Sequence, residues 1–267
     1  MATPKRWAVR DVASATFIGL AGADEGKVLA YTDTLKSSGV ETSSETVYAR
    51  GGTGNAKLIG FSSDKECMVN LQDAIFTNEI LALLTGNDIT EGAKEVLKRD
   101  VLYVDATNKV VLNFTPATAG ELVAVNSLNS DGSTNVEFTK KAESPGATEY
   151  TISGKNVTFN AAVEEGTPIA VHYYVDTDAT AQEIKVTADS FGGSFKLILD
   201  VLVTSYGDKA LYPAQIEIPN AKIEDDWEIT FEPTGDPAVL DIPIEVLKAP
   251  IGQDMWTMTV YNDAGIS

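Results

Sequence analysis

Apolar side chains recur at every second position in several separate stretches of this chain. The period is seen in residues 67–71, 197–203, 227–231 and 256–260. Because successive side chains of a β-strand point to opposite faces, the period predicts strands that bury one face and expose the other. We therefore expect a mainly β fold, built as a sandwich or a barrel.

One segment has the features of a helix. Thr77 can cap its start, Glu79 favours the positive end of the helix dipole, and Gly86 can stop it after the apolar residues of 80–84. We predict a single α-helix over residues 77–85 that flanks the sheet. Residues 92–99 are predicted to form a second, weaker helical turn.

The middle of the chain is predicted to be a unit of its own. Between residues 105 and 178, short apolar stretches alternate with turn signals such as Asp131-Gly132 and Pro145-Gly146. Six or seven strands in about seventy residues suggest a small immunoglobulin-like β-sandwich. Residues 105–180 would then be an inserted module with its exit linker, and residues 1–104 and 181–267 one discontinuous β domain. The alternative is that all these strands belong to a single larger sheet.

The charge balance is strongly acidic. Thirty-nine Asp and Glu against 20 Lys and Arg give a formal net charge of −19. Nucleic-acid binding needs basic patches, so this balance argues against a nucleic-acid binder. Solubility at high concentration and repulsion of polyanions are both compatible with it. No stretch approaches the ~20 apolar residues of a membrane helix, and a single cysteine cannot pair within the chain. We expect a cytoplasmic product without disulfides.

The usual catalytic residues are scarce. The glycine-rich residues 51–57 (GGTGNAK) have Ala56 where a phosphate-binding loop needs glycine, so a turn between two strands is predicted. His172 is the single histidine and is predicted to face solvent or a rim, on the side opposite the buried residues of its strand. Cys67 is the single cysteine and its alternation with Val69 and Leu71 predicts a core residue.

Acidic pairs and clusters are the remaining candidates for chemistry. They are residues 224–226, Asp176 with Asp178, and Asp24 with Glu25. Carboxylates can bind hard cations or act as the acid and base of glycoside hydrolysis. None of the clusters has the spacing of a calcium-binding loop, and solvated turns are the favoured interpretation. We predict no catalytic, metal-binding or cofactor-binding residue, and hence no cofactor.

Residues 47–86 combine several motifs of a structural kind. In order, these are YARGGTGNAK (48–57), LIGF (58–61), a charged turn (63–66), a strand (68–73) and AIFTNEILALLTG (74–86). A later echo is found in residues 210–222 together with residues 227–232. In these motifs the chain resembles the major tail tube proteins of tailed bacteriophages, in the branch common among phages of Gram-positive bacteria.

That resemblance implies a tail-tube-type β-sandwich or barrel with one flanking helix, in a subunit that forms hexameric rings stacked into a hollow tube. It implies a place in the virion tail after synthesis in the host cytoplasm. The implied partners are further copies of the chain and other tail proteins such as the tape measure and the terminator, with a sheath as a further candidate. DNA would pass through the lumen without specific binding, and no membrane is involved. The middle segment resembles the immunoglobulin-like modules that tail proteins often carry on the outside, and whether the tail contracts stays open.

Residues 47–56 and the helix 77–85 are expected to line contacts between subunits, and the 105–178 module is expected to face outwards. An acidic lumen would repel DNA phosphates, and we expect the charged faces of the ring strands to supply it. Residues 32–46, rich in Ser, Thr and Glu, are predicted to form a long loop that orders only when the next ring docks.

Three other functions stay open from sequence. The chain could be another virion protein, such as a tail terminator or a capsid decoration subunit. It could be a β module that binds glycans or surface polymers. Exposed aromatic platforms built from residues such as Tyr173, Tyr174 or Trp227 would favour this function. A carboxylate-based hydrolase is the least favoured of the three.

Overall fold

The computed structural model describes residues 3–224, 226–227, 239–249 and 251–262. Within these ranges the chain forms nineteen strands, one α-helix (α1, Asn78–Thr85) and one short 3-10 helix (Gly22–Asp24). In chain order the strands are β1 (Trp7–Val9), β2 (Ser14–Gly19), β3 (Val28–Thr32), β4 (Leu35–Gly51), β5 (Ala56–Asp73), β6 (Thr90–Glu91), β7 (Glu95–Tyr103), β8 (Lys109–Val111), β9 (Ala124–Leu128), β10 (Thr134–Glu137), β11 (Thr139–Lys140), β12 (Glu149–Ser153), β13 (Asn156–Phe159), β14 (Pro168–Asp176), β15 (Gln182–Glu183), β16 (Ser194–Ser205), β17 (Leu211–Ile223), β18 (Leu240–Val246) and β19 (Thr257–Val260).

The chain divides into two compact units. The first consists of Met1–Ile89 with Ile184–Ser267, and the second of Thr90–Glu183. The second unit contains the whole of the segment 105–180 for which the sequence predicts an inserted module. That this unit is immunoglobulin-like stays a prediction. Among the described residues, no helix is both long and apolar enough to cross a membrane.

Over the residues that the structure describes, the first unit is built on one nine-stranded sheet. Its strands follow the order β3-β2-β16-β17-β18-β5-β4, with β1 beside β16 and β19 beside β17. Every pair is antiparallel. The strands predicted over residues 67–71, 197–203 and 256–260 are confirmed within β5, β16 and β19. Of the strand predicted at 227–232, only Trp227 belongs to the described residues.

One apolar core fills the inner side of this sheet. Phe17 and Phe195 are fully buried at its centre, and their rings meet edge to face with centroids 5.1 Å apart. Strands from both ends of the sheet order contribute side chains, as do Ile80 and Leu84 of α1. The sheet therefore curves around this core, with α1 against it, and a smaller separate cluster is formed by Val203, Tyr212 and Ala214 of β16 and β17. The predicted fold class, mainly β of the sandwich or barrel type with one flanking helix, is confirmed.

Helix α1 begins and ends as the sequence predicts. The Thr77 hydroxyl oxygen accepts a hydrogen bond from the Ile80 amide at 3.3 Å, which satisfies one of the free amides of the first turn. Gly86 ends the helix in the left-handed conformation, with φ of 66°, and its amide donates to the Ala82 carbonyl. A β-carbon at Gly86 would lie 2.5 Å from the backbone oxygen of Phe191. This position therefore requires glycine both for its backbone conformation and for space.

The second unit is a sandwich of two four-stranded sheets. Their orders are β10-β9-β14-β7 and β11-β12-β13-β8, and they share one core of buried side chains such as Val125, Tyr150 and Val171. The strands β6 and β15 form a separate short ladder. The helical turn predicted at residues 92–99 is wrong, because β7 starts at Glu95 and pairs with β14 over its whole length. Local helix-forming residues are overridden there by a partner strand distant in sequence.

A hydrogen-bonded polar cluster joins buried Tyr173 and Asp100 to the exposed segment of Asn113 and Phe114. The Tyr173 hydroxyl donates to Asp100 Oδ2 at 2.7 Å and accepts from the Phe114 amide at 3.1 Å. The Asn113 amide and side-chain Nδ2 each donate to the Asp100 carboxylate at 2.9 Å. The cluster ties β14 to β7 and to the segment after β8. Each of these groups finds a partner, which is what makes their burial tolerable.

Candidate assembly surfaces

The most exposed element of the first unit is the hairpin of β4 and β5. These strands pair from Leu35 with Asp73 at the base to Gly51 with Ala56 at the tip. From residue 41 to residue 66 the side chains are exposed on both faces, apart from half-buried Gly51. We call residues 41–66 the arm. At ~3.3 Å per residue it extends on the order of 30 Å beyond the core.

The arm corrects one prediction and bears out another. Residues 32–46 do not form a long loop, because β3 ends at Thr32 and β4 begins at Leu35. The segment lacks apolar alternation because its distal part has no buried face. Residues 51–57 do form a turn between two strands, as predicted. Positive φ angles at Gly52, Gly54 and Asn55 close it, and the Asn55 amide donates to the Gly52 carbonyl at 3.1 Å.

The two faces of the arm differ in chemistry. On one face Val47 lies opposite Phe61 and Ala49 opposite Ile59. The side chains of Val47, Ile59 and Phe61 are 61%, 58% and 58% exposed. A two-stranded ribbon is marginal in water by itself, and contiguous exposed apolar groups mark interaction surfaces. The apolar face of the arm is therefore a strong candidate for contact with another protein surface.

The opposite face of the arm is polar. Thr46 lies opposite Ser62, and Tyr48 lies opposite Gly60. The Lys57 ammonium lies over the ring of Tyr48 in a cation–π contact, with Nζ 3.8 Å from the ring centroid. The arm thus presents one apolar and one hydrated face, as expected for a ribbon that lies on a partner through one side.

Both ends of the large sheet are edges. Among the described strands, β3 and β4 each pair on one side, with β2 and β5 respectively. Unpaired edges can add a strand from another chain, and proteins that remain monomeric usually block them. The two edges of the first unit are therefore candidates for pairing between subunits.

Helix α1 borders a cavity of about 430 Å³. Ile80 and Leu84 belong to the core, while Glu79, Ala82 and Leu83 line the cavity. The helix predicted to contact other subunits thus has a buried side and a side that borders open space. That it contacts another subunit stays a prediction.

The outer face of the large sheet carries both signs of charge, beside apolar side chains such as Ile198 and Leu202. The side chains of Asp200, Glu217, Asp241 and Glu245 lie there, with Lys196 and Lys222, on the side opposite the core. Gln215 donates to Asp200 at 2.8 Å and Gln72 donates to Asp241 at 2.7 Å. Lys196 Nζ lies 2.5 Å from Glu217. Four carboxylates against two ammonium groups leave a modest acidic excess on this face.

The single histidine and the single cysteine lie where their strands place them. Cys67 is buried, as predicted, with its sulfur 3.2 Å from Thr42 Oγ1 and 3.8 Å from the Met255 sulfur. His172 lies on the face of β14 opposite the buried residues and is half-buried. Its Nδ1 atom is buried and has no hydrogen-bond partner among the described residues.

The acidic clusters do not converge. Asp178 accepts bonds from the Thr180 amide at 2.9 Å and the Thr180 hydroxyl at 2.6 Å, which lower the pKa of its exposed carboxyl. Asp24 lies 3.4 Å from Lys27. The cluster 224–226 includes Asp225, which lies outside the described residues. Where the chain is described, no group of three or more His, Cys, Asp and Glu side chains is placed to hold a metal ion.

The sequence identified part of the arm but not its full extent. Ile59 and Phe61 complete the apolar face, yet only residues 47–56 were expected to make contacts. The signal was present, because apolar residues at 47 and 49 and at 59 and 61 flank the glycine turn almost symmetrically. In a hairpin, such positions fall on one face.

Comparison with known proteins relates nearly the whole chain to one family. The model of the YomU/Tube protein family matches residues 7–261. The chain is also 28% identical over 138 residues to the SPbeta prophage-derived uncharacterized protein YomU of Bacillus subtilis (strain 168). That alignment covers 51% of this chain and 45% of the relative. The chain thus matches less than half the length of this curated relative.

Proposed function

The chain belongs to the YomU/Tube protein family, and on that premise we propose that it is a structural subunit of a bacteriophage or prophage tail tube, without a catalytic role. The name of the family and the prophage origin of the relative support a structural phage protein. The observation that carries the proposal is the arm, an extended ribbon with an unburied apolar face. In this proposal six copies close into a ring, and rings stack into a tube that conducts DNA.

The arm contributes to the ring by burying its apolar face on a neighbouring subunit. Complete burial of a large apolar side chain is worth about 1.5–3 kcal/mol. Val47, Ile59 and Phe61 are each more than half exposed, so their burial gains about 3–5 kcal/mol for each contact. Association itself costs about 4–15 kcal/mol, so the arm alone does not hold two subunits together. Pairing of the β3 and β4 edges between subunits supplies further stability and leaves no open edge in a closed ring.

The charged outer face of the large sheet is the surface proposed to line the lumen. Its carboxylates repel DNA phosphates, and the glutamines beside Asp200 and Asp241 hold two of them in place. Glu217 pairs with one of the two lysines, which reduces the number of cations available to phosphate. A wall of this kind allows DNA to slide, because each phosphate contact with a free cation would add to the affinity.

Charge reversal tests the role of this face. Tubes of Asp200→Lys with Asp241→Lys are expected to assemble as the unaltered chain does and to retain DNA at low salt. Retention is measured as the DNA that co-sediments with tubes at rising salt concentration. If ejection of DNA and its retention are both unchanged by the reversal, the acidic charge serves only solubility.

Assembly is tested on the arm with a matched pair of variants. Ile59→Asp with Phe61→Asp places two charges on the apolar face, and Thr46→Asp with Ser62→Asp places two on the polar face. Sedimentation and negative-stain microscopy should find rings and tubes for the unaltered chain and the second variant, and subunits alone for the first. Equal assembly of the two variants would contradict the role of the apolar face. A tail terminator or a decoration protein would form no tubes in any variant.

A glycan-binding module is the second candidate. Tyr103 and Tyr174 are both exposed on the outer face of the second unit, whereas Tyr173 is fully buried and Trp227 packs on the first core. The two exposed rings lie near opposite ends of the paired strands β7 and β14. Retardation by host cell-wall polysaccharide in affinity electrophoresis, lost in Tyr103→Ala with Tyr174→Ala, would favour this function. Unchanged mobility in the polysaccharide would exclude it.

A further inference from the structure

We propose that copies of this chain stack end to end through opposite charges at the two ends of the β16–β17 hairpin. A cationic tip on one copy docks on an acidic cavity of the next copy. The inference rests on the proposed function, because it names the surfaces that join one ring to the next. Its partner is a second copy of the chain.

The first end is the turn that joins β16 to β17, together with the segment that precedes β1. Tyr206 is 62% exposed, and two cations lie over its ring. The Arg6 guanidinium carbon is 4.5 Å and the Lys209 Nζ 4.4 Å from the ring centroid. The Arg6 carbonyl accepts from the Tyr206 amide at 2.8 Å, and Trp7 pairs with Ser205. We call Lys5, Arg6, Tyr206 and Lys209 the cationic tip.

The one carboxylate in this turn already accepts hydrogen bonds from uncharged donors. Asp208 accepts from the Tyr212 hydroxyl at 2.9 Å and from the Ala210 amide at 3.2 Å. Arg6 and Lys209 are instead ordered on an aromatic ring, so little side-chain freedom is lost when they meet an anion. The chain has a net charge of −19, so a cluster of cations is unlike most of its surface. Docking on an acidic surface of another copy would give these cations a role.

The second end is the cavity of about 430 Å³ beside α1. Asp24, Glu79 and Asp88 line it together with apolar side chains such as Leu29 and Leu83. We call this surface the acidic cavity. Lys27 Nζ lies 3.4 Å from Asp24, and both side chains of that pair are largely exposed, so the pair is weak. The cavity therefore combines negative charge with an apolar floor that suits an aromatic side chain.

These two surfaces lie at opposite ends of one strand. The cationic tip follows Ser205 at the end of β16, whereas Ser194 at its start lines the acidic cavity. Twelve residues at ~3.3 Å each separate them by roughly 40 Å. A contact between unlike surfaces at opposite ends builds a filament when successive copies repeat along one axis and do not rotate back into a closed ring. It also offsets the repulsion that net charge imposes on identical acidic subunits.

A charge-swap experiment on the full chain tests the inference. Arg6→Glu with Lys209→Glu reverses the tip, and Asp24→Lys with Asp88→Lys reverses the cavity. Each pair alone is expected to weaken the contact between two stacked subunits about tenfold at low salt, because roughly two exposed ion pairs are lost and repulsion is added. The protein concentration needed for filaments to pellet should rise accordingly. Single rings should remain visible by negative stain. All four substitutions in one chain restore opposite charges and should restore filaments.

The control reverses equal charge elsewhere. Lys109→Glu with Lys140→Glu, both exposed in the second unit, should leave filaments as in the unaltered chain. This inference is overturned if filaments persist in the tip variant. It is also overturned if the variant with all four substitutions folds by circular dichroism but does not recover filaments. Either result leaves the proposed function standing. Loss of rings together with filaments in the tip variant would overturn the axial assignment of the tip. An unaltered chain that stays monomeric at every concentration would overturn both proposals.

Discussion

Removing one buried hydroxyl should destabilise the second unit strongly. In Tyr173→Phe the aromatic ring keeps its place in the core, but two hydrogen bonds are lost. The bond to the Asp100 carboxylate involves a charged group and is worth about 1.5–3 kcal/mol, and the bond from the Phe114 amide is worth about 1 kcal/mol. Burial and the neighbouring carboxylate of Asp100 raise the pKa of Tyr173 to about 12, so its hydroxyl remains a donor at neutral pH. We expect a loss of about 2–4 kcal/mol in the free energy of unfolding.

Hydrogen exchange followed by mass spectrometry measures this loss where it occurs. Amides of β7 and β14 should exchange on the order of 30 to 1,000 times faster in Tyr173→Phe, since each 1.4 kcal/mol is a factor of ten. Tyr174→Phe is the matched control, because it makes the same chemical change at an exposed neighbour on the opposite face. An acceleration in Tyr173→Phe no greater than in the control would show that the two hydrogen bonds do not stabilise this unit.

The same cluster predicts a dependence on pH. Burial of Asp100 raises the pKa of its carboxyl, but the hydrogen bonds from Tyr173 and Asn113 and the charge of Lys155 outweigh burial, so the pKa is lowered. Its contribution to stability is therefore complete above the unfolded pKa of about 3.9, and it is lost as pH falls through the folded value. In Tyr173→Phe one donor is missing, so the folded pKa of Asp100 lies higher, and the loss of stability should be complete at a higher pH than in the unaltered chain. Urea unfolding at a series of pH values from neutral to acidic follows this shift.

The remaining predictions concern the first unit. Gly86→Ala should lower the free energy of unfolding by about 2–4 kcal/mol, because it combines a positive φ with a backbone clash. Gly52→Ala, with a positive φ and open space, should lower it by about 1 kcal/mol. Urea unfolding compares the two variants, and equal effects would contradict the clash at Gly86. Asp73→Ala should cost about 3 kcal/mol in the same assay, because two threonine hydroxyls and one amide lose a buried acceptor, and a loss under about 1 kcal/mol would contradict this. Amides of residues 41–66 should exchange quickly in the isolated subunit and slowly in tubes, since the arm has no packed face of its own; equal rates would count against its role.

Local signals explain why some elements were predictable from sequence. Helix α1 has a cap, an apolar side and a terminal glycine within ten residues, and each acts on its immediate neighbours. The buried strands β5 and β16 have a two-residue period because one face of each is in the core. The turn at residues 51–57 follows from its glycines.

Distant partners explain what the sequence left out. Residues 92–99 contain helix-forming side chains, and only the pairing of β7 with β14, about seventy positions later, makes them a strand. The segment 32–46 has no apolar period, because much of β4 has neither face buried. The cationic tip unites Arg6 with Tyr206, and no local pattern indicates that these residues are neighbours.

The most direct test of the tube proposal is electron microscopy of the purified, unaltered chain at increasing concentration. We expect end-on views of rings with a stain-filled centre and side views of stacked rings with a regular axial repeat. A particle of single-subunit mass at every concentration, or filaments without a central channel, would contradict it.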